Sequence, residues 1–153
     1  MSADWQGDRQ WQEKMRRAAE LANMTDVFND AIDEVVIPEL REHFESEGRG
    51  QWPRLSDAYE SRKKKLYGDR PILQATGATF RSLTGPEGEE HQVRIVEPGG
   101  AVFGTDLPYP QFHQKRPKRK GRKRRRIINR TRDFRKRLRD FIAGRLAAKL
   151  RRL

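Results

Sequence analysis

From about Gln10 to Glu47 the chain alternates apolar and charged positions with a helical period. Val27, Phe28, Ala31, Ile32, Val35, Val36, Leu40 and Phe44 recur at three- and four-residue steps, and Asp30, Asp33, Glu34, Glu39 and Glu42 fill the other side. That spacing predicts an amphipathic helix with a core-facing stripe. A first helix before it carries Trp11, Met15, Ala18 and Leu21, and Thr25 or Asp26 is placed to cap the second. Pro38 lies inside the pattern and removes one backbone donor, which predicts a kink or break there. The glycines and proline of "EGRGQWP" (47–53) end the helix. Residues 1–9 are polar and are expected to fray.

Further along, Ser56 stands as an N-cap before a short helix over roughly 57–66. Three strand candidates follow: "TFRSLT" (79–84), "QVRIVE" (92–97) and "AVFGT" (101–105), separated by the hairpin-like "GPEGEEH" and "PGG". "LPYPQFHQ" (107–114) predicts a short helix or turn with Tyr109 and Phe112 facing inward, and "RIIN" predicts one more short strand. Thr131 then caps a last helix striped by Phe134, Leu138, Phe141, Ile142, Leu146, Leu150 and Leu153. Lys149, Arg151 and Arg152 sit in its final turn, where cations suit the helix dipole. The expected architecture is α+β: a long N-terminal helix and a C-terminal helix packed on a small, mostly antiparallel sheet. Residues 10–153 would form one domain with a basic loop at 115–130.

Composition changes this picture in two ways. Hydrophobic residues make up 34% of the 153 positions and charged residues 37%, so the core should be small, and the chain should either carry disordered parts or complete its burial against partners. The net charge of +12 is polarised: residues 115–153 hold 20 Lys/Arg against two acids, whereas residues 1–114 hold 14 bases and 20 acids. Such a distribution suits nucleic acid, and equally suits copies of one protein stacking acidic face on basic face. There is no cysteine, which excludes disulfides and thiolate metal sites. No apolar run approaches a membrane span, and "MSADWQGDRQ" has no signal-peptide h-region, so a soluble intracellular product is expected.

Most of the basic charge lies in "KRPKRKGRKRRR" (115–126), with Lys115, Arg116, Lys118, Arg119, Lys120, Arg122, Lys123, Arg124, Arg125 and Arg126 and no acid. Many cations without interleaved aromatics imply contact with phosphate backbone rather than base reading or base stacking. Catalytic constellations are absent from the pattern. His43 and Glu47 share a predicted helix face without a third metal ligand, and that face reads as solvated. "PGGAVFGT" precedes no helix and lacks a phosphate-binding lysine. Ser56, Asp57 and His113 have no nucleophile elbow around the serine. No cofactor is expected, and an enzyme is disfavoured.

Three stretches in order add a resemblance. "QWPRLSDAYESRKK" (51–64), "PILQATGATFRSL" (71–83) and "VFGTDLPYPQFHQ" (102–114) are similar to the phage virion morphogenesis family, the tail-completion or neck proteins of tailed phages. The matching positions are Trp52 with Leu55 and Ser56; Leu73, Thr76 and Gly77; Ser82 and Leu83; and Gly104, Thr105, Tyr109, His113 and Gln114. Where the family continues into glycines and a Pro-Ala-Arg-Pro-Phe-like segment, this chain has the basic run instead. The motif residues read as structural: Trp52 anchors the loop after the long helix, Gly77 and Gly104 permit tight backbone geometry, and Tyr109 and His113 pack one helix face onto the sheet.

The resemblance implies a non-enzymatic virion part, made in the bacterial cytoplasm, that assembles with itself into a ring at the head–tail junction, a hexamer by preference or a dodecamer. Its other partners would be a portal-side connector and a tail terminator or tail tube protein, with no membrane. The ring would surround the channel for genomic DNA, and the basic run would line that channel or meet the next ring. The alternative is a free-standing basic protein that binds nucleic acid without sequence preference, against which the acidic face of the long helix speaks.

Overall fold

The computed structural model describes residues 5–115 and 124–152. Helix α1 (Trp5–Ala22) leads to α2 (Thr25–Ala31), which runs through a π-helical turn (Ile32–Val36) into α3 (Ile37–Glu45). Helices α4 (Asp57–Tyr67) and α5 (Ala78–Thr84) precede strands β1 (Gln92–Glu97) and β2 (Gly100–Thr105), then α6 (Pro110–Gln114) and α7 (Arg132–Arg152). The protein is therefore α+β, with a long helix near each end and one antiparallel hairpin.

The long N-terminal element is built from local chemistry. α1 begins at Trp5, inside the segment expected to fray. Asn23 separates α1 from α2: its Oδ1 accepts from the backbone N–H of Thr25 at 3.1 Å and from the Thr25 hydroxyl at 2.8 Å. Met24 holds the N-cap position of α2 without a side-chain capping bond, so neither Thr25 nor Asp26 caps the helix. Pro38 does not break the helix. It falls just after the π-helical turn, whose extra residue makes room for a ring that would otherwise meet the carbonyl of Glu34.

α3 supplies Leu40 and Phe44 to a core shared with Trp52, Ile72, Leu83 and Ile127. Phe44 meets Trp52 and Phe80 edge to face, each with ring centroids 5.6 Å apart. The turn after α3 lets Trp52 fold back over it. Gly48 has φ +71°, and a Cβ there would lie 2.3 Å from the indole Cδ1. Only glycine fits.

Residues 79–84, expected as a strand, form α5 instead. Gly77 enters the helix in the left-handed region (φ 74°), and Thr79, Ser82 and Leu83 are buried at the i, i+3, i+4 spacing that faces α3. The hydroxyls of Ser82 and Thr84 donate to the carbonyls of Thr79 and Phe80, which satisfies these buried polar groups within the helix. "RIIN" is not a strand either. Ile127 is buried in the core, but the backbone N–H groups there bond to a side chain rather than to a sheet.

β1 and β2 pair in register from Gln92↔Thr105 through Ile95↔Val102 to Glu97↔Gly100. Arg94, on the inner face, reaches α2 and its continuation, donating to Asn29 Oδ1 at 2.8 Å and to Asp33 at 2.7 and 2.9 Å. Gly104 needs no special geometry: its φ is ordinary for a strand and no atom crowds it. Both expected strands of the hairpin are present, and it is the only sheet among the described residues.

α7 starts as expected, with the Thr131 hydroxyl accepting the Phe134 N–H at 3.2 Å. It lies against α2 and the π-helical turn rather than on the sheet, and none of its described residues is fully buried. Ion pairs take the place of deep packing: Lys149 with Asp26 at 2.9 Å, Arg145 with Asp30 at 3.6 Å and with Glu34, and Arg137 with Glu39. Asp26, Asp30, Glu34 and Glu39 of the long helix are thus paired with the chain's own C-terminal cations, while Asp33 pairs with Arg94. α1 lacks buried residues among those described, and Trp11 and Met15 are 61% and 50% exposed. No described helix is long and apolar enough to cross a membrane.

Candidate functional site

The basic run joins the body at both of its described ends, and one residue organises the junction. The Gln114 amide, at the end of α6, accepts the N–H groups of Ile127 and Ile128 at 3.1 and 3.0 Å and donates to the Ile128 carbonyl at 2.9 Å. The side chain thus takes the place of a neighbouring strand. The Gln114 carbonyl also accepts a bond from the Arg124 guanidinium. On the opposite side, His43 Nε2–H and Trp52 Nε1–H both donate to the carbonyl of Arg126, at 2.7 and 3.0 Å. Arg125 donates to the carbonyls of Pro53 (2.8 Å) and Arg54 (2.9 Å).

Arg124 and Arg125 are therefore half-buried structural cations, not free charges. Burial pushes the Arg125 guanidinium below its ordinary value. Of the other run residues, Lys115 is exposed and donates to Gln111 Oε1 at 3.0 Å, and Arg126 is exposed. Arg116, Lys118, Arg119, Lys120, Arg122 and Lys123 lie outside the described residues. Lys115 follows Gln114 directly and Arg124 bonds to the Gln114 carbonyl, so the two described ends of the run lie close together.

Beside this junction is a cleft of about 540 Å³. Residues of the three resembling stretches meet there: Leu55 and Ser56 before and at the start of α4, Leu73 and Thr76 from the loop after it, and Tyr109 and His113 around α6. Tyr59, Lys63, Ala75, Thr79, Arg125 and Ile127 complete the lining. Lys63 is buried, and its ammonium donates to the carbonyls of Arg70 and Pro71, the latter at 2.7 Å. Desolvation lowers the Lys63 pKa, and desolvation with the nearby Arg125 charge lowers that of His113. Lys63, His113 and Arg125 share the lining with the hydroxyl-bearing Ser56, Tyr59, Thr76, Thr79 and Tyr109 and with apolar residues, and no carboxylate lines it.

Several sequence expectations change here. Tyr109 and Phe112 do not face inward: they are largely exposed, and Pro110 is the buried residue of that helix. His43 is not on a solvated face. It is buried edge-on against Trp52, and with Nε2–H donating to Arg126 its Nδ1 is left without a partner. Ser56 and His113 do line one cleft, but Asp57 is not in it, and the Ser56 hydroxyl makes no capping bond. Among the described residues no group of three or more His, Cys, Asp or Glu could hold a metal. The remaining motif residues belong to the scaffold, with Ser82 Oγ accepting from the Thr105 hydroxyl at 3.0 Å.

Two functional groups give little sign of themselves in the sequence. Lys63 sits among lysines in "SRKKK", yet it lies four residues from Tyr59 and seven from Ser56, on the same face of α4. Glu39, expected on the charged face, is a buried carboxylate held by Arg49 at 2.8 Å and by Arg137. Compared with family models, with curated proteins and with solved structures, the chain matches none.

Proposed function

We propose that the chain is a structural virion protein of a tailed phage, assembling with itself into a ring at the head–tail junction that links the portal-side connector to the tail and surrounds the DNA channel. The observation that supports this most is the meeting of Leu55, Ser56, Leu73, Thr76, Tyr109 and His113 around one cleft that Arg125, at the described end of the basic run, also lines. Residues from three separate stretches that resemble the neck proteins occupy one region, and the rest of the motif (Trp52, Ser82, Thr105, Gln114) holds the scaffold under it. The role is architectural: no acid lines the cleft to orient the His113 imidazole toward Ser56 among the described residues, so it is a docking surface rather than a reaction centre. The cations of the basic run would face the channel DNA or an acidic neighbour without reading sequence. Native mass spectrometry and electron microscopy of the full chain test this. A closed ring that joins purified virions is expected, and a protein that stays monomeric and never enters particles would overturn it.

A specific observation also favours the second reading, a free-standing nucleic-acid-binding protein. Asp26, Asp30 and Glu34, acids of the long helix that would repel phosphate, are paired to α7. A monomer that coats DNA of any sequence and forms no ring would select this reading over the first.

A further inference from the structure

Two apolar surfaces of the described chain lack a partner within it. The first is the face of α1 bearing Trp11, Met15 and Ala18. The helix barely touches the body. It is tied at its end, where the Met24 N–H donates to the Pro98 carbonyl in the hairpin turn at 3.2 Å. The second is the outer face of the hairpin. Arg94 and Phe103 turn inward, so Val93, Ile95 and Glu97 point outward beside Gly104, Val102 and Gly100. Ile95 and Val102 are direct cross-strand partners and are 53% and 57% exposed. Side chains added at Gly99, Gly100 or Gly104 would meet nothing, so the surface is flat and open.

The charges flanking the two faces are complementary. On α1, Glu13 and Glu20 are consumed by Arg16 and Arg17 on the side away from Trp11. Lys14, three residues from Trp11, enters none of the ion pairs among the described residues. On the hairpin Glu97, two residues from Ile95 on the same face, likewise enters none. Each surface thus has an apolar centre and one unspent charge of opposite sign.

We propose that the partner of the hairpin's outer face is α1 of a second copy, with Trp11 and Met15 seated over Ile95 and Val102 and Lys14 meeting Glu97. The contact is heterologous, since two different surfaces are joined, and each copy keeps one of each free for the next. Repeated with a closing rotation, such contacts form a ring. The inference rests on the self-assembly part of the proposed function and adds which surfaces carry it.

The full chain and its variants are compared by sedimentation velocity and native mass spectrometry. Trp11→Ala should raise the half-dissociation concentration roughly thirty-fold, as for loss of a central aromatic anchor. Lys14→Glu and Glu97→Lys should each weaken assembly about two- to five-fold, the scale of a rim charge pair. Mixing the two charge variants in equal amounts should restore assembly, because every helix then finds a hairpin of opposite charge on the other chain. A helix folded back onto its own hairpin would gain nothing from mixing. If the wild-type chain assembles but Trp11→Ala assembles equally well, or mixing restores nothing, this docking is wrong and self-assembly stands on other surfaces. If the wild-type chain stays monomeric throughout, the docking and the self-assembly reading both fall.

Discussion

The Trp52 indole N–H donates to the carbonyl oxygen of Arg126, 74 residues later, at 3.0 Å. The bond closes the end of the basic run onto the turn after α3, and His43 Nε2–H reinforces it on the same oxygen. Trp52→Phe keeps an aromatic ring against Phe44 and leaves His43 on the carbonyl, so it should cost about 1–2 kcal/mol. Trp52→Ala empties the core position beside Phe44 and should cost about 3–5 kcal/mol. Urea denaturation of both variants measures the difference. Equal losses would mean that ring packing contributes nothing beyond the hydrogen bond.

The basic run should divide into two classes on mutation. Arg125 is half-buried and bonded to the Pro53 and Arg54 carbonyls, so Arg125→Ser should destabilise the fold by about 1–3 kcal/mol. Replacing Arg116, Lys118, Arg119, Lys120, Arg122 and Lys123 together by Ser should leave the melting temperature unchanged and weaken binding to any DNA sequence. The salt slope should fall by roughly 0.9 for each phosphate no longer neutralised. An unchanged affinity and slope would remove phosphate from the role of these six cations.

The difference between those two classes is not legible in the sequence, and the reason is physical. Arg124 and Arg125 have the same side chain as Arg122. Only the positions of Gln114, Pro53 and Arg54, fixed by the fold, set them apart. His43 reads as solvated for a similar reason, because its buried partner lies 83 residues away. Residues 79–84 are too few to separate a period of two from one of 3.6, and packing on α3 decides for the helix. The hairpin is legible in full because "QVRIVE" and "AVFGT" are bounded by turn residues and pair locally. α7 is legible as a helix, but its resting place is not: a stripe says that a face is covered and not by what. For the cleft, the three stretches supply the residues, and only the fold brings them to one wall.

His113 should make stability fall in mild acid. Burial and the Arg125 charge lower its pKa from the ordinary 6.5, so the unfolded chain takes up the proton first as the pH drops. The contribution is neutral above pH 6.5, and stability is lost as the pH falls below it. Asp26 and Asp33, held below their ordinary 3.8 by Lys149 and Arg94, titrate in a lower window and do not overlap. Comparing unfolding free energy at about pH 7.5 and about pH 5.5 should show a smaller loss for His113→Gln than for the wild-type chain. Identical losses would show that the imidazole is as free to protonate in the fold as out of it.

α7 should behave as a separately stable layer held by charge. Phe134, Leu138, Phe141, Ile142 and Leu146 are only half-buried, and the Arg145 guanidinium lies 5.1 Å from the Phe141 ring centre while pairing with Asp30 and Glu34. Such pairs are screened when the Debye length falls to about 3 Å near 1 M salt. Amide exchange of α7 should therefore quicken as NaCl rises, while exchange in α3, which carries Leu40 and Phe44, stays slow. Phe141→Asp should mimic high salt, placing a new acid beside Asp30 and Glu34 and loosening α7 without unfolding the core. Glu39 limits how far this can go, since its buried carboxylate depends on Arg137 of α7 as well as Arg49. Arg137→Ala leaves Arg49 in place and should cost about 1 kcal/mol. Removing both arginines strands the buried charge and should cost roughly 3–5 kcal/mol. If the double variant costs no more than the sum of the singles, Glu39 is solvated and the α7 layer carries no part of the core's stability.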